Sequence, residues 1–220
     1  MEKIINITLD GPGGSGKTTL AKEIAKKLNI AYLDTGAMYR GVAYYMLTNG
    51  IDVADEKSVK ENLNKFTLKV IRENDEQKIL INGEDVSGLI RTQEISMGAS
   101  TVSKIPDVRL KLVEMQRQIA HTASCVIDGR DIGSYVLPDA EYKFYLSADT
   151  DVRAKRRYLE QKQKNMDVTL EQVKKEMIAR DEQDSKRAFA PLVVPQGAFV
   201  IDTTNMSIEE VLDLILSKVK

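Results

Sequence analysis

Apolar residues fall along this chain in two patterns that take turns. Short continuous runs end in polar or glycine-bearing turns: Ile7-Thr8-Leu9, Ala31-Tyr32-Leu33, Cys125-Val126-Ile127, Phe144-Tyr145-Leu146 and Phe199-Val200-Ile201. Runs of this kind predict buried strands, the first ending at Asp10-Gly11 and the second closed by Thr35-Gly36. Between them apolar residues recur every three or four positions, first at Leu20, Ala21, Ile24, Ala25 and Leu28, which is helical spacing. Further helices are predicted over 37–50, with Gly50 as the stop, over 106–123, from near Asp151, over 169–187 and over 207–219. Thr169 with Gln172, and Ser207 with Glu210, are spaced as capping boxes. Strands alternating with helices predict an α/β fold, a mostly parallel sheet flanked by helices.

The pattern changes before residue 100. Residues 58–66 predict a short helix, with Ser58 and Glu61 as its capping box. Residues 66–71, 78–83 and 84–88 then predict antiparallel strands joined by polar turns such as Glu73-Asn74-Asp75-Glu76. The expectation is one domain over 1–220 with a small β-containing insert over 63–100.

Composition narrows the partners. The 220 residues are 42% hydrophobic and 30% charged, with a formal net charge of −1, so no bulk basic field draws the chain to nucleic acid or anionic lipid. Any anion site must be local. The single cysteine, Cys125, excludes an internal disulfide and sits in an apolar run, as a buried small hydrophobe would. The first residues, with Glu2, show no leader, and no apolar run reaches the ~20 residues of a membrane span. A cytoplasmic protein is expected, and no self-complementary segment argues against a monomer.

The local anion site is explicit. Gly11 to Thr18 read G-x-x-x-x-G-K-[ST], and they lie between a predicted strand and an amphipathic helix. In that context the glycines let backbone N–H groups converge on an anion, and the helix N-terminus adds positive charge. Lys17 can reach β- and γ-phosphates and the Thr18 hydroxyl can hold Mg²⁺, so a nucleoside triphosphate with magnesium is the expected ligand. No N-K-x-D guanine reader is present, and the D-x-x-G at Asp85–Gly88 falls in the β insert. The small size favours a kinase for a small acceptor. Asp128, ending an apolar strand, resembles the acidic residue that holds magnesium through water in such sites.

Arginine is concentrated in the second half. Arg130 follows that strand in Gly129-Arg130-Asp131; Arg153, Arg156 and Arg157 share one predicted helix; Arg180, Asp184 and Arg187 recur at i, i+4 and i+7 on another. Surface ion pairs are the ordinary use of such residues. Phosphoryl transfer is the other, because forked guanidinium groups neutralise charge spread over several oxygens. An acceptor that is itself a phosphate needs no general base, which suits a chain whose lone histidine is His121. A nucleoside monophosphate is such an acceptor.

The blocks DGPGGSGKTT (10–19), LDTGAMYR (33–40), GEDVSGLIRTQE (83–94), DGRDIG (128–133) and RDEQDSKRAFAPL (180–192) together resemble the bacterial cytidylate kinase family over essentially the whole chain. Thr35 stands where serine is also found, a hydroxyl in either case. The resemblance implies a phosphate-loop kinase with a monophosphate-binding insert and a helical lid over 150–187. It implies transfer of the γ-phosphate of ATP to CMP or dCMP with magnesium. Gly11, Pro12, Gly13, Gly14, Ser15, Gly16, Lys17, Thr18 and Thr19 would cradle the ATP phosphates, with Arg156 and Arg157 from the lid. Thr18 would bind magnesium directly and Asp128 through water. Arg40 and Arg130 would grip the CMP phosphate, and Lys17, Arg130, Arg153 and Arg157 would serve the transfer itself. Ser100, Arg109 and Asp131 would read cytosine beside Thr35, while Arg180 and Asp184 hold the sugar and Arg187 bridges toward sugar and base. The chemistry agrees: an aspartate accepts from the N4 amino group of cytosine and faces a carbonyl in uracil, leaving buried groups unpaired at ~1–3 kcal/mol. Closure of lid and insert over both substrates is expected, to keep water from the γ-phosphate. A kinase of the same fold acting on UMP or AMP, and a nucleotide-dependent binding protein without turnover, remain the alternatives; a nucleic-acid module is disfavoured by the near-neutral charge.

Overall fold

The computed structural model describes residues 3–73, 76–163 and 165–219. Glu2, and Asn74 and Asp75 of the predicted turn, lie outside the described residues. The chain divides into two compact units, Met1–Ile30 with Cys125–Lys220, and Ala31–Ser124.

The first unit carries parallel strands β1 (Asn6–Asp10), β6 (Cys125–Asp128), β7 (Tyr142–Ser147) and β8 (Phe199–Asp202), ordered β6-β1-β7-β8. Leu9 stands opposite Asp128 on one side and Phe144 on the other, so β1 is central among these four. Its apolar run is continuous because such a strand is covered on both faces: Ile7, Leu9, Val126, Ile127, Phe144 and Leu146 have no exposed surface. The helices of this unit are α1 (Lys17–Leu28), α6 (Thr150–Gln163), α7 (Leu170–Lys186) and α8 (Ile208–Leu216). Helix α1 packs on β6 and against α8, burying Leu20, Ala21 and Ile24 from one and Val211, Leu212 and Ile215 from the other. Helices α6 and α7 pack together. Two of the three predicted capping boxes form, both in this unit: Thr169 accepts from Gln172 N–H, and Ser207 from Glu210 N–H, each reciprocated.

The second unit begins with β2 (Ala31–Asp34), α2 (Thr35–Thr48) and α3 (Glu56–Asn62). The antiparallel sheet β3 (Leu68–Glu73), β4 (Glu76–Ile81) and β5 (Glu84–Asp85) follows, then α4 (Gln93–Val102) and α5 (Pro106–Thr122). Helix α2 lies against α4, where Gly98 lets the backbone approach Ala43 and Leu47. Three expectations are corrected here. Helix α2 starts at Thr35, since Asp34 caps it through Ala37 N–H, so Thr35-Gly36 does not close the strand. Helix α3 is capped by Asp55, which accepts from Lys57 and Ser58 N–H, so Ser58 lies inside the helix and not at its start. Helix α4 was not predicted at all.

Candidate active site

The phosphate loop leaves β1 at a point where only glycine fits. A Cβ on Gly11 would stand 2.0 Å from the Leu146 carbonyl oxygen of the neighbouring strand. The loop then turns into α1, whose N-cap Gly16 (φ 91°) has no side chain to offer the free N–H groups. Those donors, with the helix dipole, are left for an anion. Lys17 is buried; its ammonium donates to the Pro12 carbonyl at 2.6 Å and to Ser15 Oγ at 3.2 Å. Burial, with the nearby Arg130 charge, holds its pKa well below the ordinary value, opposed by Asp128 and Asp10. An arriving polyanion would reverse that imbalance.

At the next residue, Thr18 Oγ1 donates to Asp128 Oδ2 at 2.8 Å. A hydroxyl and a buried carboxylate at one edge of an anion cradle are a hard-oxygen donor set of the kind magnesium takes when phosphates complete its shell. No cluster of three acidic, histidine or cysteine ligands occurs among the described residues, so the residues fit a magnesium held jointly with phosphate and not by the protein alone.

The predicted lid arginines are placed differently from one another. Arg153 is buried and engaged on every side: Nε donates to Ala148 O (2.9 Å), Nη2 to Thr150 Oγ1 (2.9 Å) and Nη1 to Gly13 O (3.1 Å) and Asp181. Asp181 in turn accepts from Gly13 N–H at 3.4 Å. Arg153 therefore grips the loop peptide itself. Arg156 binds Thr203 through its hydroxyl (3.0 Å) and carbonyl (2.7 Å), and that hydroxyl lies 3.3 Å from the Ser15 carbonyl. Arg157 pairs with Glu160 at the surface, 2.9 Å apart.

The segment after β6 meets the end of α7 in a chain of buried charges. Arg130 Nε donates to Asp184 Oδ2 at 2.9 Å, Arg187 Nη1 stands 3.8 Å from Asp184 Oδ1, and Arg187 Nη2 donates to Asp131 Oδ1 at 3.0 Å. Burial pushes the Asp184 carboxyl up, but Arg130, Arg180 and Arg187 together outweigh it and hold the pKa below the usual range. Burial likewise pulls Arg130 down, and Asp184 with Asp181 and Asp128 more than restores it. The expected helical placement of Arg187 is corrected: it is the C-cap of α7 in extended backbone, and reaches Asp131 from there. Arg180 stays on the helix and is exposed.

In the second unit, Asp34 organises the start of α2. Its carboxylate accepts from Ala37 N–H (2.9 Å) and from Arg40 Nη2 (2.8 Å). Its main chain is held in turn by the Gln77 amide of β4, which accepts from Asp34 N–H at 2.7 Å and donates to its carbonyl at 3.1 Å. Arg40 Nε is buried and makes no hydrogen bond among the described residues. Arg109 is buried on α5, donating to the Ser103 carbonyl (3.3 Å), with its guanidinium 5.6 Å from the Tyr39 ring centre, next to Arg40 in sequence. Thr35 is buried in the first turn of α2, and Ser100 is half-buried on α4. Asp10, Asp34, Gln77, Asp181 and Thr203 were missed by sequence reasoning. Asp10 and Asp34 could have been found, since each directly precedes a predicted functional turn; the other three have no local signal.

The family model described as cytidylate kinase matches residues 7–220. A cytidylate kinase of Clostridioides difficile (strain 630) is 49% identical over 213 residues, 97% of each chain. That of Bacillus subtilis (strain 168) is 44% identical over 220 residues, covering 100% of this chain and 98% of its own. Among solved structures, a gluconokinase from Sinorhizobium meliloti 1021 matches with a TM-score of 0.50 at 12% identity, over 97% of this chain and 90% of its own. An uncharacterised protein from Eubacterium ventriosum matches at 0.52 and 15%, over 97% and 96%. At such identities the structural likeness speaks to the fold, that of phosphate-loop kinases. The sequence match speaks to more, and by it this chain belongs to the cytidylate kinase family.

Proposed function

We propose that the chain transfers the γ-phosphoryl group of ATP to CMP or dCMP, giving ADP and CDP or dCDP, with magnesium. The observation that carries the residue assignments is the buried chain Arg130–Asp184–Arg187–Asp131, which sets two guanidinium groups and two carboxylates in one place. Salt bridges this well buried are poor devices for stability alone. They are good devices for holding groups ready for a polar ligand.

In this reading an oxygen of the CMP phosphate attacks the γ-phosphorus while the bond from that phosphorus to the β–γ bridging oxygen breaks. No proton has to move, because the nucleophile is already anionic. What the protein supplies is positive charge and orientation. Gly11 to Thr19 present backbone N–H groups and Lys17 to the ATP phosphates. Arg156 and Arg157 belong to that triphosphate side; Arg153 fixes the loop peptide and contributes its charge nearby. Thr18 directly, and Asp128 through water, would hold magnesium, whose chemistry there is to neutralise charge on the β- and γ-oxygens. Arg40 and Arg130 bind the acceptor phosphate, each oriented beforehand by a carboxylate, Asp34 and Asp184. Asp131, Arg109 and Ser100 read cytosine beside Thr35; Asp184 and Arg180 take the sugar, with Arg187 between sugar and base. Residues 63–100 serve as the monophosphate-binding insert, and 150–187 as the lid, of one kinase domain. Two nucleotides are the only partners this chemistry requires, and it suits a cytoplasmic monomer. Phosphorus NMR of the protein with ATP, Mg²⁺ and CMP tests the proposal: the β-resonance of CDP should grow as the ATP γ-resonance declines. ATP that stays intact, or yields only inorganic phosphate, would overturn it.

A further inference from the structure

Asp131 occupies an unusual position for a residue meant to meet a ligand. It is the N-cap of the short π-helical turn Ile132–Val136, its carbonyl accepting from Tyr135 N–H (2.9 Å) and Val136 N–H (3.1 Å). An aspartate at an N-cap ordinarily turns its carboxylate onto the first free N–H groups of its own helix. This one makes no such bond. Those donors are taken instead by Asp10 at the end of β1, whose Oδ1 accepts from Ile132 N–H and Oδ2 from Gly133 N–H, each at 2.7 Å. Asp10 has no exposed surface. Close packing of the turn on β1 requires Gly133, since a Cβ there would stand 2.8 Å from Thr8 Oγ1 and 3.1 Å from Pro195 Cγ. The Asp131 carboxylate accordingly stays off its own helix and accepts from Arg187.

We infer that Asp10 is a positioning residue for base recognition: by capping the 132–136 turn in place of Asp131, it leaves the Asp131 carboxylate available to the cytosine amino group. The inference rests on the reading of Asp131 as the cytosine reader. Without Asp10, buried N–H groups lose their acceptors, and Asp131, already at the N-cap, is the side chain placed to replace them. Doing so turns it from the base. Asp10 also lies close enough to Lys17 for each to shift the other's charge, but any effect through ATP falls equally on every acceptor and cancels in a ratio.

The test is therefore the ratio of kcat/KM for CMP to that for UMP at saturating ATP and Mg²⁺. It is measured in the parent, Asp131→Ala, Asp10→Asn and Asp10→Ala, with thermal unfolding to identify folded variants. Asp10→Asn keeps the volume and one acceptor, so it decides the matter if Asp10→Ala does not fold. The ratio is expected to fall about fivefold or more in Asp10→Asn and further in Asp10→Ala, toward that of Asp131→Ala. A ratio unchanged in the Asp10 variants but lowered in Asp131→Ala overturns the inference and leaves the base reader standing. A ratio unchanged in Asp131→Ala overturns the reader, and this inference with it.

Discussion

Asp184 is buried among guanidinium groups and Asp10 against backbone amides, so the two carboxylates answer pH in opposite directions. Asp184 has a folded-state pKa below its ordinary 3.8. Its contribution is present above that value and lost as pH falls through the lower folded one. Asp10 is pushed up by burial to about 6, despite the two N–H groups it accepts. Its contribution is fully present below 3.8 and lost as pH rises through about 6. The difference corresponds to about 3 kcal/mol. Urea denaturation across pH 3 to 7 should show Asp10→Asn flattening the decline between pH 4 and 6, and Asp184→Asn weakening the loss of stability below pH 4. Identical slopes in parent and variants would contradict both assignments. Removing the Asp184 carboxylate should in addition cost about 1.5–3 kcal/mol at neutral pH, because the mostly buried Arg130 loses the carboxylate it donates to.

At the scale of elements, the alternation of strand and helix was legible because it needs only local periodicity. What escaped was decided by packing or by competing local signals. Both Asp55 and Ser58 satisfy the rules for a helix start, and Asp55 prevails by accepting two N–H groups while also taking the Ser58 hydroxyl at 2.6 Å. Helix α4 has the right spacing in Ile95, Ala99 and Val102, but its small residues signal weakly by themselves. They matter because Gly98 must admit Ala43 and Leu47 of α2. Arg187 lies past the end of α7, where helical spacing no longer applies, yet its long side chain still reaches the same partner. The proposed lid belongs to this scale too. Tryptic cleavage within 150–187 should slow when ATP and CMP are both present, relative to either alone; equal cleavage under all three conditions would count against closure.

Over the whole molecule, the phosphate loop was legible from one contiguous motif, whereas the charge chain that meets it was not. Arg130, Asp131, Asp184 and Arg187 come from segments more than fifty positions apart, and nothing in local spacing joins Arg130 to Asp184. Only the resemblance of whole blocks pointed there, and it implied roles for these residues without singling out Asp10, which holds the turn after Asp131, or Asp34 and Gln77 beside Arg40. A net charge of −1 concealed the same arrangement, since Arg40, Arg130, Arg153 and Arg187 are each paired with an aspartate, Asp34, Asp184, Asp181 and Asp131. That economy fits a protein whose ligands are polyanions and whose surface is not. The most direct test is diphosphate formation from CMP, dCMP, UMP, AMP and GMP, each offered with ATP and Mg²⁺. Rapid turnover of CMP and dCMP, with UMP at least tenfold behind and the purines inert, is the predicted result. Preference for AMP or UMP would contradict the assignment of Asp131, Arg109 and Ser100 to cytosine, and no turnover of any would contradict the kinase itself.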